Sequence, residues 1–155
     1  MGCCESMRHK LRTLAGLGRH DFVLLCQAWA MLLFIDVGLQ LCPLRRVQEF
    51  VDVQVRRGKG TPGPRPPETL GRVQRLAGMA ARHYLVPLHC LEQALAMQWL
   101  LGRRGIATSL RFGVQKTGDG LAAHAWLEFA GRPISGAMPG DDGFSPLEPA
   151  HARQR

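Results

Sequence analysis

Two residues of this chain have the types and positions that nucleophilic catalysis needs. Cys90 opens the stretch CLEQALAMQWLLGRRG, in which apolar residues recur every three or four positions, as in a helix. In the first turn of a helix, the dipole and the free N–H groups stabilise a thiolate and can donate to an oxyanion. His124 lies downstream in AAHAWLEFA, whose alternating pattern predicts a strand. The pair is typical of a cysteine nucleophile with a histidine base.

Alternation along the predicted strand indicates where His124 points. The odd-numbered residues from Ala125 to Phe129 form an apolar face. The even-numbered residues His124, Trp126 and Glu128 therefore point the other way, toward a helix or a cleft.

The other cysteines support a competing interpretation. Free cysteines often behave as small buried hydrophobes, so we expect Cys26 and Cys42, which lie in apolar stretches, to be core residues. Five cysteines without a Cys-x-x-Cys spacing or a Cys/His cluster predict free thiols in a reducing, cytoplasmic setting, with no metal and no other cofactor. By residue type alone, Cys90 and His124 could also be packing residues.

Pattern changes along the chain define the elements that must position this pair. Residues 58–67 hold three glycines and four prolines, which predicts a linker between a helical region, 1–57, and a catalytic domain, 68–155. The helical region either docks a partner or extends the core. Helical periodicity covers about 21–40, 44–55, 69–84 and 90–102, and strand patterns cover 108–114 and 122–130. Residues 132–136 form a short edge strand at most, and the chain beyond them is loop-like. Helices followed by strands predict an α+β fold with an antiparallel sheet.

Charge and hydropathy narrow the range of partners. The chain has 20 Lys+Arg, 12 Asp+Glu and a net charge of +8, but few aromatic residues alternate with the basic ones. We therefore expect a solvated basic face or a peptide-binding rim, and no nucleic acid. The apolar run from Phe22 to Ile35 is shorter than the roughly 18 to 20 residues that span a bilayer. It predicts a buried or interfacial helix, with at most peripheral membrane contact.

The motifs around the two candidate residues resemble those of a known family. They are Cys90-Leu91, Leu100-Leu101, Arg103, Arg104, Gly105-Ile106, Gly113-Val114, Ala123-His124-Ala125-Trp126, Glu128 and Gly131. From about residue 70 to 136 the chain resembles the transglutaminase-like B proteins of lasso peptide biosynthesis, leader peptidases that include the microcin-processing enzyme. The resemblance implies a papain/transglutaminase-like fold, with Cys90 as nucleophile and His124 as general base. It also implies three partners: a precursor leader peptide, a small leader-recognition protein and a macrolactam cyclase.

One expected residue is missing from this pattern. Where the family typically has Asn followed by Asp, this chain has Ser135 and Gly136, and glycine cannot orient an imidazole. We favour Asp142 as the orienting acid, with Asp141, Glu128 or no acid at all as alternatives. Two other functions stay open: a non-catalytic peptide- or partner-binding protein of the same fold, and an acyl transferase that uses the same Cys/His pair.

Overall fold

Four helices precede four strands in the part of the chain that the structure, a computed structural model, describes: residues 18–57, 66–117, 120–135 and 145–147. The elements are α1 (Arg19–Leu41), α2 (Leu44–Arg57), α3 (Pro66–Arg82), α4 (Cys90–Gly102), β1 (Ser109–Thr117), β2 (Gly120–Phe129), β3 (Arg132–Pro133) and β4 (Ser145–Leu147). This order confirms the predicted α+β class, and each helix or strand that the patterns predicted overlaps its expected range.

The four helices share one hydrophobic core. α4 is the central helix: from Ala94 to Gly102 nearly all its residues are buried, against the other three helices and β2. Buried side chains of α1 and α2, such as Ile35 and Val51, belong to the same cluster as those of α3. The division into 1–57 and 68–155 stays a prediction, but in the described residues the first two helices complete the core around α4.

The exit from α4 is built by a Schellman turn. Gly105 has a φ of 75°, a left-handed conformation that glycine adopts without strain. The N–H of Ile106 donates to the carbonyl of Leu101 (3.1 Å), and the N–H of Gly105 donates to that of Gly102 (3.0 Å). Ile106 is itself buried, which anchors the turn in the core before β1 begins.

The strands form one antiparallel sheet in the order β3-β2-β1-β4. A two-residue turn, Ala130-Gly131, joins β2 to β3 with both φ angles positive (50° and 76°), as in a type I′ hairpin. The expectation of loop throughout the chain after residue 136 is wrong, because β4 pairs with β1 there. Its three residues include Pro146, which an edge strand tolerates but which hides the strand pattern.

α1 is apolar on two faces, and this corrects the expectation for Cys26. One face packs into the core through residues such as Ala28 and Leu32, whereas Cys26 is exposed on the other face. Cys42, by contrast, is half-buried and packs against the core, as expected. The predicted helix over about 21–40 is confirmed, but the expectation that its apolar stretch is too short to span a bilayer is wrong. The helix continues past Asp36 to Leu41, and its 23 residues are long and apolar enough to cross a membrane by length and composition.

Candidate active site

The start of α4 fixes the position of Cys90. His89 is the N-cap residue, with an extended backbone (φ −80°, ψ 167°), and Cys90 is the first helical residue. The carboxylate of Glu92 accepts a hydrogen bond from the backbone N–H of His89 and lies 3.4 Å from its Nδ1 atom, which closes the first turn. This confirms that Cys90 lies in the first turn of a helix, the turn whose backbone N–H groups have no acceptor within the helix.

The thiol of Cys90 contacts the edge of β2. The backbone N–H of Ala125 donates to Cys90 Sγ at 3.3 Å. Two residues further along β2, the N–H of Leu127 donates to Ser135 Oγ (2.9 Å) and its carbonyl accepts from Ile134 (2.8 Å), both on the β3 side. Since strand amides alternate in direction, the Ala125 amide also faces this edge, beyond the end of β3. The sulfur thus accepts the hydrogen bond that a backbone carbonyl of β3 would accept from Ala125 if β3 were longer.

The same contact brings Cys90 to His124. Because Ala125 N is two covalent bonds from the Cα of His124, the sulfur lies within about 6 Å of that Cα, in reach of an imidazole side chain. Gly113 lies opposite His124 in the β1–β2 register and adds no side chain there. The imidazole Nε2 is buried. The described residues therefore place the Cys90 sulfur next to the backbone of His124, and the roles of nucleophile and base stay predictions.

A polar chain continues along the His124 face of β2. The imidazole ring of His124 stacks on Trp126, with the ring centroids 6.2 Å apart and 18° between the planes. Trp126 is fully buried, and its Nε1–H donates to the Glu128 carboxylate at 3.3 Å. The other oxygen of Glu128 accepts from Arg111 Nε at 2.9 Å. Trp126 is thus held by two partners on its own strand, one of which, Glu128, is bonded to β1 through Arg111.

Glu128 is not brought to His124. Four residues along a strand separate their Cα atoms by about 13 Å, and the described hydrogen bonds of the Glu128 carboxylate go to Trp126 and Arg111. Asp141 and Asp142, as well as Gly136, lie outside the described residues, so Asp142 as the orienting acid stays a prediction.

A family model matches residues 32–148, from the middle of α1 through β4, well over half of the chain. The chain belongs to the transglutaminase-like superfamily. Cysteine-dependent protease and acyltransferase activities are typical of this superfamily, which agrees with a thiol at a helix start against a histidine-bearing strand. No curated protein and no solved structure matches this transglutaminase-like chain significantly.

Two features of the transglutaminase-like site were missed by sequence reasoning. The Ala125 amide is a backbone group, so no residue type signals its contact with the sulfur. Arg111 is the diagonal neighbour of Glu128 across the β1–β2 ladder, and only the register brings the two together. Alternation within β1 does place Arg111 opposite the apolar face of that strand, which is the signal that could have found it.

Proposed function

We propose that this chain is a cysteine peptidase that removes the leader from a ribosomally made lasso peptide precursor. The observation that carries the proposal is the hydrogen bond from Ala125 to Cys90 Sγ, because it joins a helix-start cysteine to the residue next to His124. Membership of a superfamily with cysteine-dependent activities supports the chemistry. The lasso precursor as substrate rests on the motif resemblance around Cys90 and His124.

In the first half of the reaction, the leader becomes attached to the enzyme. His124 accepts the thiol proton, and the sulfur of Cys90 attacks the carbonyl carbon of the scissile peptide bond. Helix-start N–H groups, among them that of Cys90, are positioned to donate to the resulting oxyanion. The C–N bond then breaks, and His124 returns the proton to the leaving amine. That amine is the new N-terminus of the core peptide, while the leader is held as a thioester.

In the second half, water releases the leader. His124 removes a proton from water as the water oxygen attacks the thioester carbonyl. The C–S bond then breaks, and His124 gives the proton to the departing sulfur, which yields the leader carboxylic acid and free Cys90. The balance is one peptide bond and one water consumed, giving one amine and one acid. The freed amine is the group that a macrolactam cyclase needs, which makes the cyclase and a leader-recognition protein the proposed partners in the cytoplasm.

The test is incubation of candidate precursors with the chain and the recognition protein, followed by mass spectrometry of the products. We expect cleavage by the native chain, no cleavage by Cys90→Ala, and native rates with Cys42→Ala, whose thiol is also half-buried but belongs to the C-cap residue of α1. Cleavage by Cys90→Ala would refute the assignment. A product heavier by a bound amine instead of water would identify an acyl transferase.

Thiol reactivity separates an enzyme from a non-catalytic binding protein. Cys26 is exposed, so it is a demanding reference for alkylation by iodoacetamide at neutral pH. We expect half-buried Cys90 to react faster than Cys26 in the native chain and more slowly after His124→Ala. A Cys90 that reacts no faster than Cys26 would favour the binding protein.

A further inference from the structure

The outer face of α1 is an exposed apolar surface. Its exposed hydrophobic side chains occupy one sector of about 120° along the whole helix, and no charged residue between Phe22 and Leu41 is exposed. The exposed apolar residues of this α1 outer face are Phe22, Val23, Cys26, Ala30, Leu33, Phe34, Val37 and Leu41. Only 28 % of the most apolar part of α1 is buried, whereas a core helix such as α4 is mostly buried.

α2 extends this surface and adds positive charge at its margin. The ring of Phe50 lies against that of Phe34, with the centroids 4.8 Å apart, and exposed Val53 follows one turn later. Arg46 lies one turn before Phe50 on the same stripe and is exposed.

The acidic residues of α2 do not offset this positive charge. Asp52 lies about 200° around the helix from Phe50, and Glu49, one turn before Val53, is paired with Arg45 at 2.9 Å. Because Arg45 balances the charge of Glu49, Arg46 adds a positive charge beside the apolar residues of α2.

We propose that the α1 outer face binds the surface of an anionic lipid bilayer, with the helix lying parallel to the membrane plane. Phenylalanine and leucine side chains enter the headgroup boundary, and the arginines near both ends of α1, Arg19 and Arg46, contact anionic headgroups. This places the protein at a membrane, a property that the proposed peptidase activity does not require.

The packing of α1 excludes a transmembrane orientation in this fold. Its inner face is part of the core, and its two acidic residues are held by the protein: Asp21 accepts from Arg72, and Asp36 from Tyr84. Spanning a bilayer would require α1 to leave α3 and α4 and carry both carboxylates into hydrocarbon. Lying flat on the surface buries only the outer face.

Charge favours a bilayer over a second copy of the chain. A symmetric pair through the α1 outer face would place two Arg19 and two Arg46 side chains around one apolar contact, between chains that each carry a net charge of +8. The face itself offers no acidic residue to balance them. Anionic headgroups supply the opposite charge, and their attraction to arginines weakens with salt.

Vesicle flotation tests the proposal on the full chain. We expect binding to vesicles of phosphatidylcholine with one quarter phosphatidylglycerol, at least tenfold weaker binding to phosphatidylcholine alone, and several-fold weaker binding in 0.5 M than in 0.1 M NaCl. The variant Leu33→Glu/Phe34→Glu should lose at least tenfold in binding. The matched control is Leu85→Glu/Leu121→Glu, which alters two highly exposed leucines outside the face and should bind like the native chain.

Three results would overturn the proposal: no binding by the native chain, unchanged binding by Leu33→Glu/Phe34→Glu, or equal loss in the control. A lipid-free dimer that the same variant dissociates would assign the face to a second copy. Circular dichroism of both variants checks that they fold. Cleavage measured without vesicles is independent of all these outcomes, so failure of the membrane proposal leaves the peptidase proposal standing.

Discussion

The side chains of the candidate site differ in how firmly the described residues hold them. Trp126 is fully buried between partners, and Glu128 is tied to β1 through Arg111. The sulfur of Cys90 is directed to one backbone amide of β2. Because a one-residue slip in the β1–β2 register would move His124 to the opposite face of the sheet, the strand pairing fixes the face from which its imidazole projects.

Carboxylate variants distinguish the candidate acids. We expect Glu128→Gln to keep kcat within about threefold, because its carboxylate accepts hydrogen bonds from Trp126 and Arg111 and its Cα lies about 13 Å along β2 from that of His124. Asp142→Asn should lower kcat by about 10²-fold or more, the usual cost of losing the acid that orients a catalytic histidine. Steady-state cleavage across a pH series measures both.

A carboxylate at position 136, where the motif resemblance leads us to expect an acid, is the rescue. Gly136→Asp added to Asp142→Asn should recover part of the lost kcat, whereas Asp141→Asn alone serves as the neighbouring control. A large loss of kcat with Glu128→Gln, at unchanged thermal stability, would contradict this assignment and make Glu128 the candidate for the orienting acid.

At the scale of elements, the close approach of α2 and α4 depends on one glycine. A Cβ atom built at Gly102 would lie 2.4 Å from Val55 Cγ2, closer than any normal contact. Gly102 is therefore what lets the exit of α4 pack against α2, directly before the turn that leads to the sheet.

Alanine substitutions test this contact. Gly102→Ala should lower the free energy of unfolding by about 1–3 kcal/mol, because overpacking outweighs the helix propensity gained. Gly71→Ala in α3, where nothing lies within 4 Å of the new Cβ, should raise it by about 0.5–1 kcal/mol. Urea denaturation measures both, and adding Val55→Ala should relieve part of the Gly102→Ala loss. Equal effects at the two glycines would contradict the prediction, because they would show that α2 moves away from the new Cβ atom at no cost in stability.

The elements differ in how far the sequence predicts them. Helical spacing of apolar residues predicts α1 to α4 and the first-turn position of Cys90, and alternation predicts β1 and β2. In α2, α3 and the two strands the pattern also records which face is buried. β4 was missed because three residues with a proline carry no period. The exposure of Cys26 was missed because α1 is apolar on both faces, and periodicity then cannot tell core from surface. Which acid, if any, orients His124 cannot be predicted from the sequence, since its approach would depend on tertiary contacts.

At the scale of the molecule, Tyr84 connects the segment before the active-site helix to the first helix. Its hydroxyl donates to Asp36 at 3.1 Å, and its ring contacts Trp29, with the centroids 5.2 Å apart. Burial, followed by the hydrogen bond to the Asp36 carboxylate, raises the pKa of Tyr84 above 10.0. The folded chain thus keeps this proton to higher pH than the unfolded chain does.

This difference predicts how stability depends on pH. The contribution of Tyr84 is complete below the unfolded pKa, near 10, and is lost as pH rises through the folded value. Tyr84→Phe should cost roughly 1 kcal/mol in urea denaturation at pH 8, with a smaller difference above pH 10. Because Tyr84 is the one tyrosine of the chain, its ultraviolet absorbance titration reports it alone. A midpoint at or below 10 in the folded protein would contradict the prediction.

The backbone amide of Ala125 can report the chemical state of the Cys90 sulfur. Its proton is directed at Cys90 Sγ, so its NMR resonance depends on what the sulfur carries: a proton, a charge, an alkyl group or an acyl chain. Chemical changes at the thiol can therefore be followed through the amide resonance of Ala125, without a probe group on the protein. The chemical state of Cys90 is readable in this way before any substrate has been identified.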